Sequence, residues 1–198
     1  MRIVAGSAGG IHLQTPSNNV RPTMDRVRGA IFSSLGDLVP GTHCLDLFCG
    51  SGALGIEALS RGAASCDFVD SHRSACTCTQ SNLRKASLQG QVHCLDALHF
   101  LAKLARPLHY DIIFADPPYF KKQKKISRPP ANKETKIPDW TSILCTSADL
   151  VACLRPGATL VLESGPSTLP PLADGLSLLK SKSYGGTTIH YILRSPLK

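Results

Sequence analysis

The sequence predicts an α/β protein: a doubly wound, mostly parallel seven-stranded sheet preceded by a small N-terminal hairpin and helix. Three observations carry this. Apolar runs of strand length alternate with segments of helical period between residues 44 and 164. A glycine-rich loop joins the first of those strands to the first of those helices. Two further apolar-alternating runs, "LSLLKSKSYGG" and "TTIHYILR", close the chain as a strand pair. At 198 residues the chain fits one domain, with 1–40 as an N-terminal extension and 41–198 as the core.

"RIVAGSAGGIHLQTP" reads as two short strands joined by a glycine-rich turn. Thr23 is a candidate N-cap for a helix ending near Leu35, with Met24, Val27, Ile31 and Leu35 as its apolar stripe. Gly36 and Pro40-Gly41 stop it. The alternation then runs as strand 44–48, helix 53–62, strand 66–70, and helix 71–88 capped by Ser71. Strand 91–96, helix 97–105 and strand 110–115 follow. Residues 120–139 are rich in lysine and proline and read as a long loop, expected to be mobile without a ligand. A helix from Trp140 to Leu154 and a strand over 158–164 complete the core, and the proline-rich stretch after it disfavours a helix.

The composition is 42% hydrophobic and 18% charged, with Lys and Arg outnumbering Asp and Glu by 22 to 14. A formal charge of +8 favours a polyanionic partner. "MRIVAGSAGG" lacks the apolar core of a signal peptide, and no run approaches the roughly 18 apolar residues of a membrane span. A cytoplasmic, membrane-free protein is the expectation, with monomer as the default. Cys44, Cys49, Cys66, Cys94 and Cys153 lie in or beside apolar runs, where a free thiol behaves as a small hydrophobe. Cys66, His72, Cys76 and Cys78 lack metal-ligand spacing, so no metal is expected.

The loop "DLFCGSGALG" contains Gly50-x-Gly52-x-x-Gly55. Glycines permit a tight turn and close approach of a ligand, and the following helix offers free N–H groups. Asp70 ends the next strand, 20 residues after Gly50, where a carboxylate can accept from a ribose diol. The bland alternative is a tight strand–helix turn with no ligand. Among nucleoside cofactors, Asp46 in the strand before the loop would repel a pyrophosphate. It suits a cofactor bearing an ammonium and a sulfonium, which favours S-adenosylmethionine (SAM). Asp96, after the third strand, is placed either to accept from an adenine amino group or to cap the helix beginning at Ala97; the two roles are compatible.

"FADPPYFKKQKK" places Asp116, Pro117, Pro118 and Tyr119 just beyond the fourth strand, at the edge where ligands bind in such sheets. An exocyclic amine is a poor nucleophile because its lone pair is delocalised into the ring. The Asp116 carboxylate and the Pro117 carbonyl could accept its two N–H bonds and aim the lone pair, while proline fixes the carbonyl. Tyr119 could stack on the base, a contact worth roughly 1–3 kcal/mol. The competing reading is a plain surfacing turn.

"LDLFCGSGALGIEALSRGA" (45–63) with "DPPY" (116–119) resembles a class I SAM-dependent methyltransferase acting on an amino group. The opening "MRIVAGSAGG…TPSNNVRPTMDRVRGAIFSSL" and the late "YGGTTIHYIL" resemble the bacterial 16S ribosomal RNA guanine-N2 methyltransferase family. This resemblance implies a Rossmann-like fold, methyl transfer from SAM to guanine N2, and a substrate in the small ribosomal subunit or its assembly intermediate. It implies SAM contacts from Arg21, Thr23, Asp46, Phe48, Gly50, Ser51, Gly52, Asp70, Asp96 and Ala97. Target-base contacts would come from Asp116, Pro117, Pro118 and Tyr119. Phe120, Lys121, Lys122, Lys124 and Lys125 could hold phosphates around an extruded guanine, and Arg2, Arg21, Arg26 and Arg28 could extend the basic surface. Two departures stand out: Cys49 where the family more often has alanine, and Asp70 where glutamate is usual. The rival readings are an adenine-N6 methyltransferase, a glutamine-N5 protein methyltransferase, an NAD-linked oxidoreductase and a non-catalytic RNA-binding module.

Overall fold

The structure, a computed structural model, describes residues 1–16, 22–118, 139–165 and 169–196, the backbone alone at 22–24. Seven strands form one sheet: β1 (His43–Leu47), β2 (Ser65–Asp70), β3 (Gln91–Cys94), β4 (Tyr110–Ala115), β5 (Leu154–Ser164), β6 (Leu176–Tyr184) and β7 (Thr187–Arg194). Their order is β3-β2-β1-β4-β5-β7-β6. The first five are mutually parallel, and β7 runs antiparallel to both of its neighbours. The doubly wound, mostly parallel reading therefore holds, with an antiparallel end.

Six α-helices flank the sheet among the described residues: α1 (Pro22–Leu35), α2 (Ala53–Ser60), α3 (Arg73–Ala86), α4 (Ala97–Lys103), α5 (Trp140–Cys145) and α6 (Ala148–Cys153). Side chains alternate along a strand, so each central strand feeds two cores. Cys44, Phe68, Ile112, Phe114 and Val161 pack with α1, α2 and α3 through Ile31, Phe32, Ile56 and Leu83. Leu45, Leu47, Val69, Ile113 and Leu160 pack on the other face with Phe100, Leu144 and Leu150 of α4, α5 and α6. Burial on both faces explains why these strands read as continuous apolar runs.

Several boundaries differ from expectation. α1 begins at Pro22, so Thr23 lies inside the helix rather than at its cap. Proline suits the first helical position because its missing N–H has no partner there anyway. α3 begins at Arg73 after His72, and Ser71 does not cap it; the Ser71 hydroxyl bonds the His72 ring instead. The helix expected over 140–154 is two. Ser147 caps α6 by accepting from Leu150 N–H, so the chain restarts a helix where one could have run on. β1 ends at Leu47, leaving Phe48 outside it with φ of 59°. β5 starts at Leu154, four residues early, with a register shift opposite Tyr110 and Ile112. Cys94 is exposed, whereas Cys44, Cys49, Cys66 and Cys153 are buried, and burial pushes the Cys44 thiol up to about 12.

The N-terminal hairpin exists but is short. Ile3 N–H donates to the Ile11 carbonyl and Leu13 N–H to the Met1 carbonyl, on either side of a single Arg2–His12 bridge. It docks on α2 through a buried carboxylate. Glu57 accepts from Val4 N–H (2.7 Å) and Ala5 N–H (3.1 Å), and pairs with Arg61 (2.8 Å) and Arg28 (3.5 Å). Gly6 is required at the contact: with φ of 88°, a Cβ there would lie 1.8 Å from the Ser60 carbonyl oxygen.

Candidate active site at the carboxyl edge of β1 and β4

The strand order reverses between β1 and β4, because β1 is followed on one side by β2 and on the other by β4. Ligands of open α/β sheets bind outside the carboxyl ends at such a point. Two of the sequence motifs meet there. Leu47 of β1 pairs with Ala115 of β4, so the glycine loop starting at Phe48 and the turn starting at Asp116 leave the sheet side by side.

The loop is shaped by backbone that side chains rarely adopt. Phe48, Gly50 and Gly52 have φ of 59°, 56° and 76°. A left-handed conformation costs a bulky residue such as phenylalanine of order 1–3 kcal/mol, and such strain collects at ligand sites. A Cβ on Gly50 would meet nothing closer than 4.0 Å, so the loop presents open space on that side. At Gly52 a Cβ would strike Thr79 Cγ2 at 2.7 Å, and at Gly55 the Phe68 ring at 2.4 Å. These two glycines therefore serve close packing of the loop and of α2 on the sheet. The Phe48 ring rests against Trp140 at the start of α5, with centroids 5.0 Å apart.

Asp46 lies beneath the loop, almost fully buried, where its carboxylate accepts from Gly55 N–H at 2.9 Å. Burial drives its pKa up to about 8; the Gly55 bond pulls it down, and the nearby Asp70 charge adds to the rise. Asp70 closes the loop from the next strand. It accepts from Gly50 N–H (3.0 Å) with one oxygen and from His72 N–H (2.9 Å) with the other. A carboxylate has about four lone-pair positions, so these bonds leave acceptor capacity for a diol. Asp96 performs the capping role, accepting from Leu98 N–H and His99 N–H through one oxygen, and Ala97 behind it is buried.

At β4, Pro117 is buried and Pro118 exposed, with Asp116 between the extremes. Arg21, Tyr119, Phe120, Lys121, Lys122, Lys124 and Lys125, the Thr23 side chain and the long lysine-rich loop lie outside the described residues. Arg28 belongs to the core rather than the basic surface: it is 3% exposed and held by Glu57, Asp25 and the Arg2 carbonyl. Arg2 and Arg26 are exposed. Sequence reasoning missed Glu57, Thr79 and Asn82. Their only signal was polar character on the inward stripes of α2 and α3.

A cationic, nucleoside-bearing ligand fits this set. The donors are backbone N–H groups at a helix start, the acceptors are carboxylates at two strand ends, and the glycine loop leaves space before them. The family described as conserved hypothetical protein 95 matches residues 1–193. The chain belongs to this family. A Bacillus subtilis protein provisionally named as the rRNA methyltransferase YlbH is 45% identical over 196 residues, covering 96% of each chain. The Escherichia coli K12 ribosomal RNA small subunit methyltransferase D is 39% identical over 121 residues, 60% of each chain. Among solved structures, an E. coli chain provisionally described as methyltransferase yhhF superposes with a TM-score of 0.79 and 29% identity. It covers 100% of this chain and 99% of that one. The fold is also that of a Thermus thermophilus 16S rRNA N2 G1207 methyltransferase solved with AdoMet and guanosine. That likeness has a TM-score of 0.62 at 22% identity, over 90% of this chain and 44% of that one. The conserved hypothetical protein 95 fold is thus the class I methyltransferase fold.

Proposed function

We propose that the protein transfers a methyl group from SAM to the exocyclic N2 of a guanine in small-subunit ribosomal RNA. The observation that carries the reading is the adjacency of two motifs. The glycine loop leaves β1 beside the Asp116-Pro117-Pro118 turn leaving β4, at the switch point of the sheet. Relatives named as rRNA methyltransferases supply the substrate class.

Gly50, Ser51 and Gly52 would hold SAM from below, Asp70 its ribose and Asp96 with Ala97 its adenine end. Phe48 would flank it, and Arg21 and Thr23 would close over it. When bound, SAM supplies an electrophilic methyl group. Everything else falls to the chain. The Asp116 carboxylate and Pro117 carbonyl accept the two N–H bonds of the target amine, which frees its lone pair from the ring and fixes its direction. Tyr119 stacks on the base. Asp46 supports the loop from beneath through its bond to Gly55 N–H. Phe120, Lys121, Lys122, Lys124 and Lys125 hold phosphates of the surrounding RNA. The substrate is the small subunit or an assembly intermediate, and the enzyme works in the cytoplasm as a monomer without a metal. Among the described residues no helix is long and apolar enough to cross a membrane.

The test uses SAM with a labelled methyl group, unmodified small subunits and nucleoside analysis of the digested RNA. Label in N2-methylguanosine is the expected result. Label in N6-methyladenosine would keep the mechanism and overturn the target. Absence of label from RNA, despite SAM binding, would overturn the substrate class.

A further inference from the structure

Helix α3 presents two polar side chains, one turn apart, to the back of the glycine loop. Thr79 and Asn82 are both fully buried. Thr79 Oγ1 donates to the Gly50 carbonyl at 3.2 Å. Asn82 Nδ2 donates to the Ser51 carbonyl at 2.9 Å. The same Asn82 amide makes a two-bond clasp on the N-terminal segment. Its Oδ1 accepts from Gln14 N–H at 2.8 Å and its Nδ2 donates to the Gln14 carbonyl at 2.9 Å.

Peptide planarity turns these bonds into directions. In a trans peptide the carbonyl and the next N–H point opposite ways. With the Gly50 carbonyl held toward α3, the Ser51 N–H of the same peptide points away from α3. It finds no acceptor among the described residues. The Ser51 carbonyl, held by Asn82, leaves Gly52 N–H on the Cys49 carbonyl at 2.7 Å, which closes the turn.

We infer that Thr79 and Asn82 are positioning residues for the cofactor, aiming Ser51 N–H into the site, and that Asn82 couples this loop to the N-terminal segment at Gln14. The inference deepens the reading above and rests on SAM occupying the glycine loop. Residues 15–23 follow Gln14 directly and include Arg21 and Thr23. Through one buried amide, the cofactor loop at Ser51 and the backbone at Gln14 therefore share a support.

The experiment measures SAM binding by calorimetry, well below the melting temperature, alongside thermal unfolding without SAM. Thr79→Val keeps the shape and removes the hydroxyl; Thr79→Ser keeps the hydroxyl. Asn82→Asp keeps the acceptor for Gln14 N–H and loses the donors to Gln14 and Ser51. Thr79→Val and Asn82→Asp are expected to weaken SAM binding by about five- to tenfold, as loss of one buried hydrogen bond does. Thr79→Ser is expected to restore binding to within about twofold of wild type. Lowered melting temperatures with unchanged SAM affinity would reduce both residues to structural ones and overturn the inference. So would Thr79→Ser behaving like Thr79→Val. The coupling is read by hydrogen exchange at residues 13–16. SAM is expected to slow exchange there in the wild type and not in Asn82→Asp; equal slowing in both refutes the coupling. A wild-type chain that fails to bind SAM overturns the cofactor reading and this inference with it, whereas normal wild-type binding with unaltered variants overturns the inference alone.

Discussion

Replacing Asp46 with asparagine should flatten the pH dependence of stability on the neutral side. Asp46 is 2% exposed and its bond is to Gly55 N–H. Burial raises its carboxyl from an ordinary 3.8 to about 8, against the lowering effect of the Gly55 bond and with a contribution from Asp70. Between those values the folded chain keeps a proton that the unfolded chain has released. The stability this proton represents is complete below the unfolded pKa and is lost as pH rises through the folded one. Within the window one proton costs about 1.4 kcal/mol per pH unit. Asparagine keeps an oxygen for Gly55 N–H and has no proton to lose. Urea unfolding of the cofactor-free protein at a series of pH values reads the difference. Between about pH 5 and about pH 7, wild type should lose roughly 3 kcal/mol relative to Asp46→Asn. Burial lowers the pKa of His109 and His190, which works in the opposite sense, but both titrate in wild type and variant alike and cancel. Parallel curves for the two proteins would show that Asp46 is ionised in the folded state and would refute the reasoning.

Asp116→Ala should lower kcat by about a hundredfold or more while SAM affinity stays the same, since the proposed function has this carboxylate orient the target amine rather than hold SAM. A loss confined to KM in single- and multiple-turnover assays would refute that role. Glu57→Ala should destabilise the fold by about 3–5 kcal/mol, because it removes one of the two carboxylates beside buried Arg28 and frees Val4 and Ala5 N–H. Chemical denaturation with proteolysis at the N-terminal segment checks it, and a change under about 1 kcal/mol would count against the docking role of Glu57. Replacing Lys121, Lys122, Lys124 and Lys125 together by alanine should reduce the slope of log affinity for RNA against log salt by as much as about 3, with SAM affinity unchanged. An unaltered slope would remove these lysines from the phosphate contacts.

Much of this architecture was legible in the residues because it depends on local period and on short-range chemistry. β4 is buried on both faces, so "YDIIFA" is a continuous apolar run, and its boundaries fall where the sequence reading puts them. Gly50 and Gly52 announce a loop with positive φ because few other residues adopt it. Asp96 was legible as a cap from its place before an apolar helical run. Helix boundaries were less so. Ser71 and Thr23 have the right chemistry for caps, but α3 starts two residues after Ser71 and α1 one residue before Thr23. The break at Thr146-Ser147 sets Leu144 and Leu150 both into the second core, with Ser147 capping the restarted helix.

By itself the sequence determined the α/β alternation, the glycine loop and the Asp116 turn, because each is written in consecutive residues. Only the tertiary structure decided what those motifs stand against. It takes Arg28 out of the basic surface and buries it against Glu57, and makes Asp46 a buried support rather than an open charge. It also brings Gln14, Ser51 and Asn82 onto one amide although up to 68 residues separate them. Sequence spacing carries no information about such contacts. They are selected by burial: a polar group removed from water must find its partner wherever the packed chain places one.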